Sequence, residues 1–287
     1  MSITIRAVKT IEESRMVVDL ALRVWGGKPL DVMPDHMLIT VAKNGGVVLL
    51  ACDGDEPVGF VFGFLGFTDQ LLLKHCSHEA AVLPKYQNRG LGYQLKAAQR
   101  QMLLKQGLDH ATWTFDPLET RNANLNLHKL GGVSSTYLRN VYGEMDDGLN
   151  AGLPTDRFLV DWWVASEWVR SRIDEKVFLP SLSEWLEQGI KVLNAPTRNR
   201  DGHLVPIMQV PIPRSSGHAF EDRYYLLEFP TNIQAIKQTD LGLAYAWRMH
   251  SQAIFELAFA RGYHAVDLLY QNGRSCYLLE RNFTQRR

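Results

Sequence analysis

The chain has 287 residues, 46% of them hydrophobic, a length and composition that suit one large globular domain or two small ones. Its 31 Lys plus Arg balance 31 Asp plus Glu, so the formal net charge is zero and no bulk field favours nucleic acid or an anionic membrane. No apolar run reaches the ~18 residues of a membrane helix, and Met1–Val8 lacks the basic start and apolar run of a signal peptide.

Ile3–Val8 alternates as a strand, and an amphipathic helix is expected from Ile11 to Trp25, ended by Gly26-Gly27. Val47–Cys52 and Pro57–Leu65 form a hairpin turning at Asp53-Gly54-Asp55-Glu56. A strand from His75 to Leu83 then meets Pro84. A helix from Leu91 to Gln106 follows, with Gly107 as its cap and Leu91, Leu95, Ala98 and Met102 as its buried face. His110–Phe115 is a strand, Ala123–Leu130 a helix closed by Gly131-Gly132, and Ser135–Tyr142 and Arg157–Val164 are strands joined by a loop, Gly143–Asp156.

A second unit is expected from Ser166. It holds a helix at Leu182–Gln188, a strand Ile190–Asn194, a polar stretch Thr197–His203, a strand Ile207–Val210 and a loop Arg214–Asp222. A strand Tyr224–Phe229 and a long helix Leu241–Arg261, capped by Gly262, follow. The closing hairpin, His264–Tyr270 and Ser275–Glu280, turns at Asn272-Gly273. Three cysteines, Cys52, Cys76 and Cys276, lack Cys-x-x-Cys spacing, and the nine histidines lack His-x-x-x-His or His-x-His spacing. No disulfide framework and no metal are expected, and the cysteine usage fits the cytoplasm. Trp162, Trp163 and Trp168 are expected to pack the junction between the halves.

The segment Gln87-Asn88-Arg89-Gly90-Leu91-Gly92 joins a strand to a helix through two glycines. The free N–H groups of a helix start and its macrodipole favour an anion there, and glycine lets the backbone approach a phosphate. No Gly-Lys-Ser/Thr closes the loop, and position 95 is Leu, so neither a Walker A nor a Gly-x-Gly-x-x-Gly motif is present.

The loop resembles the Gln/Arg-x-x-Gly-x-Gly/Ala pattern of the GNAT superfamily of acyltransferases. Its flanks fall in family order: Ala80-Ala81-Val82-Leu83-Pro84-Lys85-Tyr86 before it, then helix, strand and Leu130-Gly131 after it, a resemblance over residues 3 to 164. The resemblance implies an α/β (α+β) fold, a mixed, mostly antiparallel sheet flanked by helices that splays where CoA enters. It divides the chain into an acyltransferase domain, 1–165, and a C-terminal α/β domain, 166–287. It further implies an acetyl-CoA or other acyl-CoA donor, with the pyrophosphate on Gln87, Asn88, Arg89, Gly90, Leu91, Gly92 and Tyr93. The pantetheine arm would pair with main-chain groups of Ala80 and Val82, where a backbone N–H also stabilises the oxyanion. The acceptor, a small-molecule primary amine, would attack the thioester directly.

That amine must lose a proton. His78 shares the face of Val82 by the two-residue period, and one member of the superfamily places a candidate base histidine there. A strand histidine bonded to backbone is the plainer alternative. Glu79 faces the other way unless a bulge re-aims it, and is the second choice. Many relatives carry an acid Tyr at a slot that is Leu127 here, which leaves water, Tyr137, Tyr142 or no group as the acid. Asn122 and Asn124 lie near the usual pantetheine-contacting Asn and could equally cap a helix.

Phe115-Asp116-Pro117-Leu118, Arg121-Asn122-Ala123, Asn140-Val141-Tyr142-Gly143 and Gly152–Arg157 resemble a long bacterial branch of the superfamily, part of it tied to N-succinyl amino acid metabolism. This implies succinyl-CoA as an alternative donor and a free amino acid as acceptor, with Arg121, Arg139, Tyr142 and Arg157 around the acceptor and the arginines as a carboxylate clamp. Nucleic acid and membrane are not expected as partners, and a homodimer is allowed. The C-terminal half, with a strand running into Pro230 and a helix ending at Gly262, reads as a decayed copy of the first without a glycine loop. The rival reading, motivated by Leu127, is a non-catalytic acyl-CoA-binding or sensing protein.

Overall fold

The computed structural model describes residues 3–26, 32–145, 151–207 and 221–284. They pack as two units: the chain up to Trp113 with Trp162–Arg170, and Thr114–Asp161 with the chain from Ser171 on. The junction expected at 165/166 thus falls inside a segment that packs with the first unit. No described helix is long and apolar enough to cross a membrane.

The first unit runs β1 (Ile3–Ala7), α1 (Ile11–Trp25), α2 (Asp35–Lys43), β2 (Val47–Asp53), β3 (Glu56–Phe67), β4 (Leu73–Val82), α3 (Leu91–Lys105) and the start of β5 (His110–Phe115). β1 to β4 pair antiparallel in chain order, and β5 joins β4 in parallel. α1 starts on a capping box in which Thr10 and Glu13 satisfy each other's backbone N–H, and its C-cap, Gly26, has φ +66°. Trp25 meets Phe60 edge-on with ring centroids 5.9 Å apart, while a Cβ on Gly59 would come 3.3 Å from Leu95 of α3. Successive strand residues face opposite ways, so α1 and α3 cover opposite faces of this sheet. The helix α2 has no counterpart in the sequence expectations: it buries only Leu38 and has no side-chain cap.

The second unit continues with α4 (Thr120–Ala123), which passes into a π-helical stretch, Asn124–Lys129, in place of one α-helix from 123 to 130. β6 (Val133–Leu138) and β7 (Arg157–Trp163) follow; the end of β7 and most of α5 (Glu167–Ile173) pack with the first unit, and α6 (Leu182–Glu187) returns to the second. Two short strands, β8 (Thr197–Arg198) and β9 (Leu204–Val205), pair within the expected polar stretch and just beyond it. β10 (Tyr224–Phe229), α7 (Ile233–Thr239), α8 (Leu241–Phe259), β11 (Tyr263–Gln271) and β12 (Arg274–Arg281) complete the chain. The strand order in this unit is β7-β6-β11-β12-β10, antiparallel throughout. Asn272 and Gly273 turn the last hairpin with φ +51° and +74°, the two positive values a type I′ turn requires. The core is aromatic: Phe158 packs edge-on against Phe255 at 4.6 Å, and Phe229, Trp247 and Tyr277 are buried with them.

Three expectations here need correction or limits. Ile190–Asn194 is not a strand but a single parallel bridge, Val192↔Leu226, because the Asn194 amide bonds both backbone groups of Glu228, at 2.6 and 2.8 Å, where a ladder would continue. Residues 208–220, holding most of the expected strand Ile207–Val210 and loop Arg214–Asp222, lie outside the described residues. A copy of the first unit would set β10 beside β11 as parallel neighbours, yet β12 pairs with both and lies between them.

Candidate active site

Within the first unit the parallel pairing of β4 with β5 consists of His75↔Ala111 and Cys76↔Thr112. Pairing with β3, by contrast, runs on to Gly59↔Val82, and Leu83 still donates to Val58 O at 2.9 Å. β4 therefore stays extended well beyond Cys76, its last residue paired with β5 within this unit. Main-chain groups on such an edge can take an extended ligand as a strand would be taken. Ala80 and Val82 lie on this stretch, opposite Val61 and Gly59.

The same strand carries a β-bulge. Phe62 pairs with Glu79 and Gly63 with Ser77, so His78 is an extra residue. The bulge re-aims the side chains: His78 Nε2 comes within 3.6 Å of Glu79 Oε1, and the imidazole lies against Phe62 and Phe64, with centroids 5.3 and 6.0 Å away. From the two-residue period alone, these two residues face apart; the bulge brings them together. Glu79 is the more enclosed, its side chain 21% exposed against 43% for His78. Burial pushes the Glu79 carboxyl up to about 7 and holds the His78 imidazole below its ordinary value.

Past Val82, a 3-10 turn at Pro84–Tyr86 is anchored by the Tyr86 hydroxyl, which donates to Asp53 at 3.0 Å. Gln87 ties the loop to the strand, its amide Nε2 donating to Val82 O at 2.9 Å. Asn88 and Gly90 adopt φ +60° and +79°, an alternation that can turn backbone N–H groups toward a common point. Gly90 is the N-cap of α3 without a side-chain cap, and the first helical bond runs from Gln94 N to Gly90 O. The N–H groups of Leu91 and Gly92 thus point out of the helix start, no acid stands in the first turn, and a Cβ at position 90 would have nothing within 4 Å. These features fit a diphosphate.

The buried face of α3 departs from expectation. Leu91, Leu95 and Leu103 are buried, but Lys96, Gln99 and Arg100 are buried with them, whereas Ala98 and Met102 are half-exposed. Hydrophobic periodicity assigns polar residues to the outside, so it gave no sign of this face. Lys96 Nζ donates to Ser77 Oγ at 2.9 Å and Gln99 Oε1 at 3.0 Å and sits 3.6 Å from the Trp113 ring. Gln99 Nε2 lies 3.1 Å from His75 Nε2. Burial brings Lys96 down to about 7 and His75 to about 3. Trp162 meets Trp113 edge-on at 5.4 Å and Trp163 stacks on His110 at 4.1 Å.

The remaining candidates belong to the second unit. Neither Asn122 nor Asn124 is an N-cap: α4 has Glu119 at its N-cap and no side-chain cap bond, because the helix begins earlier than expected. Arg121 is exposed on α4. Arg139 is engaged by both carboxylate oxygens of Glu256, at 2.6 and 2.5 Å. Arg157 is buried 3.9 Å from Asp116, which Arg248 also grips, and Tyr142 lies over its guanidinium at 5.3 Å. The Tyr142 hydroxyl is 2.8 Å from Thr114 Oγ1. Tyr137 donates to Asp156 at 2.8 Å, burial keeps its phenol well above the ordinary range, and Leu127 is fully buried.

Residues 15–131 match the model of the acetyltransferase (GNAT) family. No match is found among curated proteins. Among solved structures, an acetyltransferase of the GNAT family from Streptococcus pneumoniae is similar at 14% identity and TM-score 0.46, covering 56% of this chain and 98% of its own. The ribosomal-protein-S18-alanine N-acetyltransferase from Escherichia coli is similar at 16% identity and TM-score 0.45, covering 57% and 94%. The Salmonella typhimurium protein yncA, solved with its cofactor acetyl-CoA, is similar at 16% identity and TM-score 0.44, covering 58% and 96%. The match to the acetyltransferase (GNAT) family model thus spans residues 15–131, the stretch that holds β4, the glycine loop and α3.

Proposed function

We propose that the chain transfers an acyl group, acetyl or succinyl, from CoA to a primary amine, with Glu79 as the base and His78 as its partner. The observation that carries the proposal is the β4 bulge, which sets a carboxyl titrating at about 7 beside an imidazole on a strand past its β5 pairing. A base is most useful when its pKa lies near the working pH. Acyl-CoA supplies the activated thioester. The loop from Gln87 to Tyr93 holds its diphosphate, and Ala80 and Val82 align the pantetheine arm through main-chain groups. Glu79 takes the proton of the attacking amine. By the resemblance Leu127 stands where many relatives carry an acid Tyr, and a thiolate can depart without a dedicated proton donor. A free amino acid as acceptor would have to compete with Glu256 for Arg139 and with Asp116 for Arg157, so the proposal stops at the primary amine.

Purified protein given acetyl-CoA or succinyl-CoA and a panel of amines should release free thiol in an amine-dependent manner. Binding of the donor with no thiol released for any amine would leave a non-catalytic acyl-CoA-binding protein and sink the proposal.

A further inference from the structure

The first unit buries a lysine amino group that the transfer chemistry does not use. Lys96 is 4% exposed, and its hydrogen-bond partners, Ser77 and Gln99, are neutral. The rings of Trp113 and Trp162 stand 3.6 and 5.5 Å from its Nζ, and no carboxylate among the described residues pairs with it. A buried cation without a counter-charge costs folding free energy, and an apolar side chain of similar volume would fill the space more favourably. Stability is therefore a poor reason for a lysine here.

Its position offers a better one. The last parallel pair of β4 and β5 in this unit is Cys76↔Thr112, and the next residue of each strand is Ser77 and Trp113. Lys96 Nζ bonds the first and faces the ring of the second, just past the last parallel pair of this unit. Ser77 runs directly into the bulge at His78 and Glu79. Across the ladder from Ser77 stands Gly63, where a Cβ would come 2.4 Å from His75 Nε2 and 2.7 Å from Ser77 Cα, so only glycine admits the polar network behind the bulge. Lys96 also belongs to α3, whose N-terminus is the glycine loop, and so links that helix to the strand.

We infer that Lys96 is a positioning residue for the transfer reaction: just past the last β4–β5 pair of this unit it holds Ser77, and through Ser77 the bulge that presents His78 and Glu79. This rests on the reading of Glu79 as the base. The groups facing Lys96 are Ser77 and His75 from β4, Gln99 from its own helix, Trp113 from β5 and Trp162 from β7; Arg100 instead donates to Val164 O.

The test follows the Glu79 carboxyl by carbon NMR in the full chain, for wild type, Lys96→Met and Ser77→Ala, with thiol release measured alongside. In wild type the midpoint should lie at about 7. In both variants it should fall toward the ordinary carboxylate range, since a relaxed bulge admits water to Glu79. Turnover should drop at least about tenfold while the CoA dissociation constant moves less than about threefold. A folded Lys96→Met chain with an unmoved midpoint overturns the inference whatever its rate. Should that variant not fold, Ser77→Ala, which removes one hydroxyl, decides in its place by the same criterion. A midpoint that moves in a protein whose wild type shows no turnover supports the positioning role and refutes the base.

Discussion

Glu79 shows how burial acts on rate and on stability in opposite directions. Its carboxyl is raised from 4.5 to about 7 by desolvation. Between those values the folded chain keeps a proton that the unfolded chain has released, so stability falls as pH rises through the window and stays lowered above it. The full effect is about 3 kcal/mol at most, and less because a fifth of the side chain reaches water. Glu79→Gln should therefore stabilise the protein at pH 8 and not at pH 4, read from urea unfolding at both pH values. The same variant should lose about 100-fold or more in turnover, the usual cost of removing a general base. His78→Ala should lose less and leave CoA affinity alone, because the imidazole meets the carboxylate at 3.6 Å and need not meet the cofactor. A larger loss for His78→Ala than for Glu79→Gln would exchange the two roles.

At the scale of elements, the glycine loop and the bulge differ in how far the sequence reveals them. The loop is local: Pro84 ends a strand, Gly90 and Gly92 open a helix, and each acts through its own backbone, so the spacing is enough to place it. The bulge depends on which residue of β3 each residue of β4 meets, and no period within β4 fixes that register. Lys96, Gln99 and Arg100 were hidden for a related reason, since burial of a polar side chain is decided by partners such as Ser77 and Val164 O that lie far away in sequence. The edges of β6 went astray because Asn140, at φ +43°, accepts bonds through its side chain from Thr155 and turns the chain before Tyr142. Gly90 itself gives a clean test. Valine at φ +79° is strained although its Cβ would touch nothing, so Gly90→Val should disturb the loop backbone without a clash in the core. CoA binding should weaken about tenfold, or ~1.4 kcal/mol, by titration. Gly107→Val, equally strained at φ +73° at the other end of α3, should leave the affinity unchanged, and a loss of equal size there would mean that general destabilisation explains both.

On the scale of the whole molecule, the second unit repeats the sequence of a strand, a proline and helices, but closes the places where a nucleotide would enter. After Pro230 comes α7 in place of a glycine turn, and its first N–H groups are capped by Asn232, which accepts from Ala235 N at 3.0 Å. At the start of α8 the carboxylate of Asp240 accepts from Leu243 N at 2.8 Å, which both occupies the helix N-terminus and repels a phosphate. β12 fills the position between β10 and β11, so these two strands do not part as parallel neighbours to receive a pantetheine arm. Glu228, next to the end of β10, is held by two nitrogens of Arg274, so this cation already has its counter-charge. A chain with a net charge of zero has no general attraction for CoA to add to these local terms. Calorimetric titration of the full chain should therefore give one acyl-CoA per chain, and Gly90→Val should weaken that single binding event with no second event left behind. Two events per chain, one of them indifferent to Gly90, would show that the second unit also binds the nucleotide and that its capped helices open to do so.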